Sequence, residues 1–350
     1  MHAPPRLRLA HLPTPLEPAP RLSEQLGVEL WIKRDDATGG PEAGNKIRKL
    51  EFLLADAIEQ GADTVLTCGG EQSNHARATA IAAARLGLRC TVFLRVRELE
   101  DDDGGRGIPL DDRVPWTGNV LIDHLVGADV RLISQATWTT IDACMQRELA
   151  SLAERGRKGY AIPAGGSNAV GAWGYLTAME EVAAQLEELP FDQFDAVVHA
   201  CGSGGTTAGI ALGLARHRVA QRVHAMAVAD SIEWYREVIA SVVADARSRW
   251  PDLAAPAPWS IDARAMGPAY AVSTPAQRDV MRAAARQAGL VLDPVYSGKA
   301  MWGLQLAAQA GDLRGRVLFV HTGGLPGLLA QGDVFRKDAR GDVDRAARRA

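Results

Sequence analysis

The 350-residue chain contains few cysteines, few aromatic residues and little net charge. Aromatic residues make up 5% of the sequence, and 39 basic residues nearly balance 42 acidic ones, leaving a formal net charge of -3. This balance does not indicate a nucleic-acid or membrane partner, and no apolar run reaches the length of a membrane span. The four cysteines lack the spacing of a metal site. We therefore expect no nucleic acid, no membrane and no metal.

The first residues also lack the apolar core of a secretory signal. Most of the scattered cysteines lie in or beside strand-like segments, and we expect them to be buried thiols. These features favour a cytoplasmic protein. Hydrophobic residues make up 47% of the chain, which allows a sizeable core in one large domain or in two.

Strand-like and helical segments alternate along two stretches of the chain. The first stretch runs from residue 64 to about 186 and the second from residue 196 to residue 320. Repeated strand–loop–helix units predict mostly parallel, doubly wound sheets. We expect a loop over residues 96–118, a helix over about 138–156 and a Pro/Ala-rich linker over 251–260.

A lysine stands at the predicted entrance of a helix. Apolar residues recur at helical spacing directly after Gly44-Asn45-Lys46, so Lys46 lies in the first turn. The free N–H groups and positive dipole end found there lower the pKa of an ammonium group and hold anions. A lysine that must act as a neutral nucleophile benefits from such a place. Taken alone, the segment is more simply explained as a solvated basic first turn.

Glycine-rich loops follow two predicted strands, where open α/β sheets bind their ligands. The loop 202–207 opens a helix, and its glycines and the hydroxyls of Ser203 and Thr206 suit a phosphate, although an ordinary tight turn explains it equally well. The dinucleotide spacing and the Walker motif are both absent. Ser73-Asn74 closes the other loop, either as a helix N-cap or as a site for a carboxylate or a cofactor oxygen.

Together these segments resemble the fold-type II pyridoxal-phosphate enzymes that include D-cysteine desulfhydrase, 1-aminocyclopropane-1-carboxylate deaminase and L-cysteate sulfo-lyase. The set is specific although no single segment is, and it extends in order from residue 13 to residue 324. The matching segments are Pro13–Glu17, Ile32–Asp36, Gly44–Phe52, Gln72–Arg77, Ile162–Asn168, Gly202–Gly209, Asp293–Lys299 and His321–Gly324.

The resemblance implies pyridoxal 5'-phosphate as the cofactor and assigns roles around it. Lys46 would form the Schiff base and later move the Cα proton. Asn74 would contact the phenolic oxygen of the cofactor, and Ser73 the substrate carboxylate. The phosphate would be held, with Lys49 nearby, by Gly202, Ser203, Gly204, Gly205 and Thr206.

Further site residues follow from the same resemblance. Tyr270 and Tyr296 would be the two active-site phenols, and Ser297 would face the pyridine nitrogen. The segment containing Thr322 is expected to line the cofactor site. The resemblance also implies a homodimer.

Two residues depart from the family pattern. Ser297 stands where the cyclopropane-carboxylate deaminase has glutamate, and a neutral hydroxyl holds a pyridine nitrogen protonated less well than a carboxylate does. That argues against opening an unactivated ring. Glu71 precedes Gln-Ser-Asn, where the family more often has a small or apolar residue. An acid there would repel a sulfonate and could attract an amine, unless it points away into solvent.

The sequence therefore predicts two doubly wound domains of the tryptophan synthase β type, with the cofactor between them. The large domain would comprise residues 1–50 and 165–340, the small domain 51–164, and a charged tail 341–350. We expect a lyase that eliminates the β-substituent of a small amino acid, giving pyruvate and ammonia. D-Cysteine is the first choice of substrate. The alternatives are cysteate, the cyclopropane substrate, an unusual amino acid in a specialised relative, or a metabolite-binding protein without turnover.

Overall fold

A computed structural model describes residues 3–338 and confirms the predicted α/β class, with two separate, mostly parallel sheets. The predicted tail, 341–350, lies outside the described residues. The strands are β1 (Leu16–Pro18), β2 (Glu29–Lys33), β3 (Thr64–Gly70), β4 (Arg89–Arg95), β5 (Ile108–Pro109), β6 (Asp129–Ile133), β7 (Gly159–Ala161), β8 (Ala196–Cys201), β9 (Val223–Ala227), β10 (Trp259–Asp262) and β11 (Arg316–Val320).

The helices connect and cover these strands. They are α1 (Pro20–Leu26), α2 (Asn45–Glu59), α3 (Asn74–Arg85), α4 (Gly118–Leu125), α5 (Gln135–Thr139), α6 (Ile141–Glu154), α7 (Ala169–Leu186), α8 (Gly205–His217), α9 (Ile232–Arg249), α10 (Pro275–Ala288), α11 (Ser297–Gln309) and α12 (Leu325–Leu329). Short 3-10 turns occur at Asp35–Ala37 and Ala164–Gly166. No helix among residues 3–338 is long and apolar enough to cross a membrane.

The larger sheet has six strands in the order β1-β2-β11-β8-β9-β10. Only its edge strand β1 is antiparallel to its neighbour. The last strand of the chain, β11, lies in the interior of the sheet and pairs with β2 on one side and β8 on the other. This sheet therefore joins the N-terminal and C-terminal parts of the chain.

The larger sheet is covered on both faces, and its interior strands β8, β9 and β11 are mostly apolar, as buried parallel strands are. Alternate residues of β11 point to opposite sides. Leu318 and Val320 pack into one core with α7, α8 and α9, whereas Val317 and Phe319 pack into another with α1, α10 and α11. The doubly wound arrangement predicted from the sequence is thus confirmed.

The smaller sheet has five strands in the order β5-β6-β4-β3-β7. All of its strands come from residues 64–161, and only β5 is antiparallel. The two sheets thus divide the chain near the domain limits expected from the sequence. Those limits stay a prediction, since α2 spans the expected boundary at residue 50.

Three sequence expectations need correction. The expected linker 251–260 gives way at Trp259 to the edge strand β10, which is parallel to β9. The helix expected over 138–156 is two helices, because the chain turns at Thr140. The segment 96–118 contains the short strand β5, and its acidic part is anchored by the buried Asp102, whose carboxylate accepts the N–H groups of Ser134 and Gly105.

Candidate active site

Loops at the carboxyl ends of β3, β8 and β11 meet the first turns of α2, α3 and α8 around one cavity. The cavity is lined by Asn45, Lys46, Asn74, Ala200, Cys201, Gly202, Ser203, Gly204, Thr206, Tyr296 and Thr322. Eight of these residues were predicted for the site from the sequence: Lys46, Asn74, Gly202, Ser203, Gly204, Thr206, Tyr296 and Thr322. The other predicted residues, Lys49, Ser73, Gly205, Tyr270 and Ser297, lie behind or beside the cavity walls.

Lys46 is the second residue of α2 and borders the cavity. Burial lowers the pKa of its amine from 10.5 to about 8, since the low-dielectric surroundings disfavour the charged form. Gly44 makes this entry possible with φ of 124°, and a Cβ there would lie 2.9 Å from the Thr322 carbonyl oxygen. The geometry thus presents a lysine with a large neutral fraction to the cavity.

A buried ion network anchors the first turn of α2. The Arg48 guanidinium binds both carboxylate oxygens of Asp35 and both of Glu181, at 2.8 to 3.0 Å. Arg48 and Lys49 are 1% and 0% exposed, so the alternative of a solvated basic turn is wrong. The network fixes the turn that carries Lys46.

Lys49 lies one turn after Lys46 and is completely buried. Its amine donates a hydrogen bond to the Gly165 carbonyl oxygen at 3.1 Å. Burial and the neighbouring Lys46 charge hold the pKa of Lys49 well below its usual value. The predicted contact with a phosphate stays a prediction, because Lys49 stands behind the cavity wall.

The loop between β8 and α8 forms the opposite wall. Gly204 has φ of 76° at the N-cap of α8, and a Cβ on Gly202 would lie 2.9 Å from the Tyr296 ring. Ser167 braces this loop, since its hydroxyl donates to Ser203 Oγ at 2.9 Å and accepts the Gly205 N–H at 3.2 Å. The first turn of α8 therefore points backbone N–H groups at the cavity.

The segment between β3 and α3 supplies the third wall. Ser73 is the N-cap of α3, and its Oγ accepts the Ala76 N–H at 3.2 Å. Asn74 lines the cavity, and its side-chain oxygen accepts a hydrogen bond from Asn119 at 3.1 Å. Asn119 also donates to the Gln72 carbonyl oxygen at 3.0 Å, so α4 clamps this loop in place.

The two predicted phenols contact each other at one end of the cavity. The hydroxyl groups of Tyr270 and Tyr296 are 2.6 Å apart, and their rings meet edge to face with centroids 6.0 Å apart. Burial raises the pKa of both phenols. Both phenols therefore stay protonated near neutral pH. One hydroxyl proton forms the hydrogen bond between them, and the other is available to a third group.

Ser297 begins α11 and lies beneath Tyr296 without bordering the cavity. Its hydroxyl donates to Asp293 Oδ1 at 2.6 Å and accepts the Asp293 N–H at 2.8 Å. Asp293 is buried and also accepts the N–H groups of residues 295–297. Ser297 thus has a structural partner here, and its orientation toward a pyridine nitrogen stays a prediction.

Comparisons with known proteins decide the family. A model of the family "Pyridoxal-phosphate dependent enzyme" matches residues 7–323. The chain belongs to the pyridoxal-phosphate dependent enzymes. This family membership confirms the predicted cofactor.

Its relatives carry the names expected from the resemblance. A bifunctional D-cysteine desulfhydrase/1-aminocyclopropane-1-carboxylate deaminase of Arabidopsis thaliana is 42% identical, over 93% of this chain and 79% of its own. A D-cysteine desulfhydrase of Salmonella newport is 40% identical, over 93% and 96%. A solved structure of an ACC deaminase homologue shares 33% identity and a TM-score of 0.82, covering 95% and 96% of the two chains.

The residues of this pyridoxal-phosphate dependent enzyme fit its cofactor. Lys46 supplies a weakly basic amine for the aldehyde, and the glycine loop with the first turn of α8 supplies N–H donors for the phosphate. Gly165, with φ of 65°, keeps the space beside Lys46 open, because a Cβ there would overlap the Ser203 hydroxyl. The Tyr296 ring lies over the loop from the other side.

Three residues at the site of this enzyme were not predicted from the sequence. Asn45 donates to Thr206 Oγ1 at 3.2 Å and thereby ties α2 to α8. Cys201 lines the cavity and accepts the Thr207 hydroxyl through its sulfur at 3.3 Å. Asn119 clamps the Gln72–Asn74 segment. Asn45 and Cys201 had a local signal, because each directly precedes a predicted site residue, whereas the contacts of Asn119 join distant segments.

The unusual acid of the enzyme, Glu71, faces a second cavity at the mouth of the site. That cavity is lined by Gly70, Glu71, Gln72, Arg95, Arg97, Glu98, Pro115, Thr117, Tyr270, Ala271, Val272, Val295, Ala330 and Gln331. Glu71 is half-buried there, and burial and the neighbouring Glu98 raise the pKa of its carboxyl group. Glu71 therefore lines this outer cavity, and its contact with a substrate stays a prediction.

Proposed function

We propose that the protein is a lyase that eliminates the β-substituent of a small amino acid, with D-cysteine as the preferred substrate. The observation that carries this proposal is the Lys46 amine, with its pKa lowered to about 8, facing the glycine loop of α8 across one cavity. The relatives named D-cysteine desulfhydrase support the choice of substrate. Water consumption and loss of sulfide would convert D-cysteine into pyruvate and ammonia.

The chain's residues divide the work. The cofactor supplies an electron sink for the bonds at Cα when it is bound. Lys46 would hold the cofactor, and its Nζ would take the Cα proton of the substrate. The α8 loop would hold the phosphate, and Asn74 would bind the ring oxygen. Ser73 lies directly before Asn74, at the N-terminus of α3, where helix N–H groups favour a substrate carboxylate.

The paired tyrosines suit the departure of the leaving group. Their hydroxyls lie 2.6 Å apart with both pKa values raised, so both stay protonated and the pair can donate a hydrogen bond to the leaving sulfur. Such a hydrogen bond would stabilise the negative charge on a thiolate that leaves from Cβ. Tyr296 borders the cofactor cavity and Tyr270 the outer one, which places the pair between cofactor and entrance.

Two residues argue for a thiol rather than the alternatives. Ser297 is neutral, and its hydroxyl bonds to Asp293, so it supports ring opening of the cyclopropane substrate less than a glutamate would. Glu71 is half-buried at the entrance and its charge repels the sulfonate of cysteate, although Arg95 and Arg97 line the same cavity. These alternatives are separated by their products: 2-oxobutyrate from the cyclopropane substrate, and sulfite from cysteate.

The decisive experiment is a panel of D- and L-amino acids assayed for oxoacid, ammonia, sulfide and sulfite. We expect sulfide and pyruvate from D-cysteine, and loss of turnover in Lys46→Ala. A protein that binds the cofactor and amino acids but turns none of them over would be a metabolite-binding relative. Full activity of Lys46→Ala, or a purified protein without the visible absorbance of the cofactor, would refute the proposal.

We further propose that the enzyme is a cytoplasmic homodimer. Helices α4 and α12 pack together and expose Leu121, Leu125, Leu325 and Leu329, of which Leu125 and Leu329 are 71% and 70% exposed. An apolar surface of this kind is typical of a subunit contact. Sedimentation of the purified protein tests it: Leu125→Asp should shift a dimer toward monomer, and a monomeric wild type would refute it. Fractionation of the host cell tests the location.

A further inference from the structure

Arg95 extends from the smaller sheet toward an active-site tyrosine of the larger one. It is the last residue of β4, and its guanidinium carbon lies 5.6 Å from the centre of the Tyr270 ring. The same carbon lies 5.0 Å from the centre of the Trp138 ring, in α5. The guanidinium therefore contacts two aromatic rings, Trp138 next to the smaller sheet and Tyr270 next to the larger one.

Arg97 contacts the same tyrosine through its backbone. Its Nη2 donates to the Tyr270 carbonyl oxygen at 3.2 Å. The next residue, Ala271, has φ of 59°, a left-handed conformation that is uncommon outside glycine. Tyr270 thus lies in a tight loop. Arg95 contacts its ring and Arg97 binds its main chain, and both arginines belong to the smaller-sheet part of the chain.

The loop is also held from the larger sheet, because the buried Lys299 amine donates to the Ala269 carbonyl oxygen at 2.8 Å. Tyr270 lies between β10 and α10, outside any regular element, with one bridge between Ala269 and Val272. Its ring packs on Gly70, where a Cβ would lie 2.8 Å from Cε1. Among residues 3–338, no carboxylate forms an ion pair with Arg95 or Arg97 within 4.0 Å, although the charge of Arg95 opposes the burial that raises the pKa of the Asp230 carboxyl group.

We propose that Arg95 is a positioning residue that, with Arg97, holds Tyr270 against Tyr296 and closes the smaller sheet over the substrate. This inference rests on the proposed function, because it assigns a task to the tyrosine pair. Arg95 acts through the Tyr270 ring and is not itself a group that touches the reacting atoms. Arg95 and Tyr270 both line the second cavity, the one that Glu71 faces. The contact between them narrows this proposed entrance.

The electrostatics of Tyr270 give a signature of the contact. Burial raises the pKa of its phenol, the hydrogen bond from Tyr296 and the charge of Arg95 lower it, and Asp293 and Asp230 raise it. Removing the Arg95 charge should therefore raise the pKa of Tyr270 further. The alkaline limb of the pH–rate profile should move to higher pH in Arg95→Gln.

The test compares Arg95→Gln and Arg95→Lys with Arg89→Gln, which changes an exposed arginine at the other end of β4. For Arg95→Gln we expect a loss of about tenfold in kcat/KM, the size of a partly desolvated cation–π contact. Arg95→Lys should restore the position of the alkaline limb but only part of the rate. Arg89→Gln should change neither.

A second measurement needs no turnover. Ultraviolet absorbance of phenolate, with the Tyr270→Phe signal subtracted, follows the ionisation of Tyr270 directly. We expect its midpoint to rise in Arg95→Gln and to stay near the wild-type value in Arg95→Lys. An unchanged midpoint and pH profile in Arg95→Gln, or equal effects in Arg89→Gln, would overturn the role of Arg95. A wild type without turnover would instead overturn the proposed function, while the phenolate titration would still test Arg95.

Discussion

The pKa of Lys46 can be measured without turnover, which makes it the sharpest test of the site. Burial lowers it from 10.5 to about 8. At pH 7 about one amine in eleven is then neutral, against about one in three thousand for an unperturbed lysine. The site thus raises the concentration of the nucleophilic form about 300-fold.

Competitive labelling of the cofactor-free protein measures this value at one residue. An amine-selective acylating reagent is added over a range of pH together with a short lysine peptide, and peptide mapping gives the rate at Lys46. We expect the rate at Lys46 to level off above pH 8, while the peptide continues to gain reactivity. A Lys46 midpoint equal to that of the peptide would refute the argument that burial tunes this amine.

Three further predictions concern the surroundings of the site. Arg48→Met leaves the buried Asp35 without its cation and Glu181 with Lys33 alone, and should cost about 3–5 kcal/mol of unfolding free energy in urea. Arg249→Met, which breaks an exposed helical pair, should cost no more than about 0.5 kcal/mol; equal losses would contradict this. Gly165→Ala overlaps the Ser203 hydroxyl at a left-handed residue and should weaken cofactor binding, measured by absorbance titration, by about 1–3 kcal/mol, or roughly fivefold to 150-fold; unchanged affinity would show that this space is not needed. Despite burial, the ion network lowers the pKa of Glu181 from 4.5 to about 2. The stabilisation that Glu181 provides is therefore present above pH 4.5 and is lost as the pH falls toward 2, a change of about 3 kcal/mol in unfolding free energy. Urea unfolding across the acid range should show this loss in the wild type and not in Glu181→Gln.

Much of the site was predictable because its signals are local. A lysine at a helix entrance, a glycine loop between strand and helix, and a Ser-Asn pair at a third helix start are each written in a few consecutive residues. The rule that ligands bind beyond the carboxyl ends of strands then places them together. The fold class, the family and the cofactor predicted in this way are confirmed, and the predicted reaction agrees with the relatives' names.

What escaped prediction depends on contacts between distant segments. Nothing near Arg48 in the sequence indicates that Asp35 and Glu181 will surround it, so its turn could equally have been solvated. Ser297 has a partner four residues earlier, but whether that bond or a cofactor contact prevails depends on how α11 packs. The edge strand β10 was hidden by the prolines before it, because its pairing with β9 outweighs its weak local pattern.

The interior position of β11 has a consequence for how the chain folds as it is synthesised. The larger sheet cannot be completed until residues 316–320 have emerged and inserted between β2 and β8, which closes a loop of almost the whole chain. The smaller sheet, drawn from one continuous stretch, can pair much earlier. The cofactor site, built from loops of both sheets, is therefore the last part of the molecule to be assembled, and a truncated chain would keep the lysine while lacking the cavity it serves.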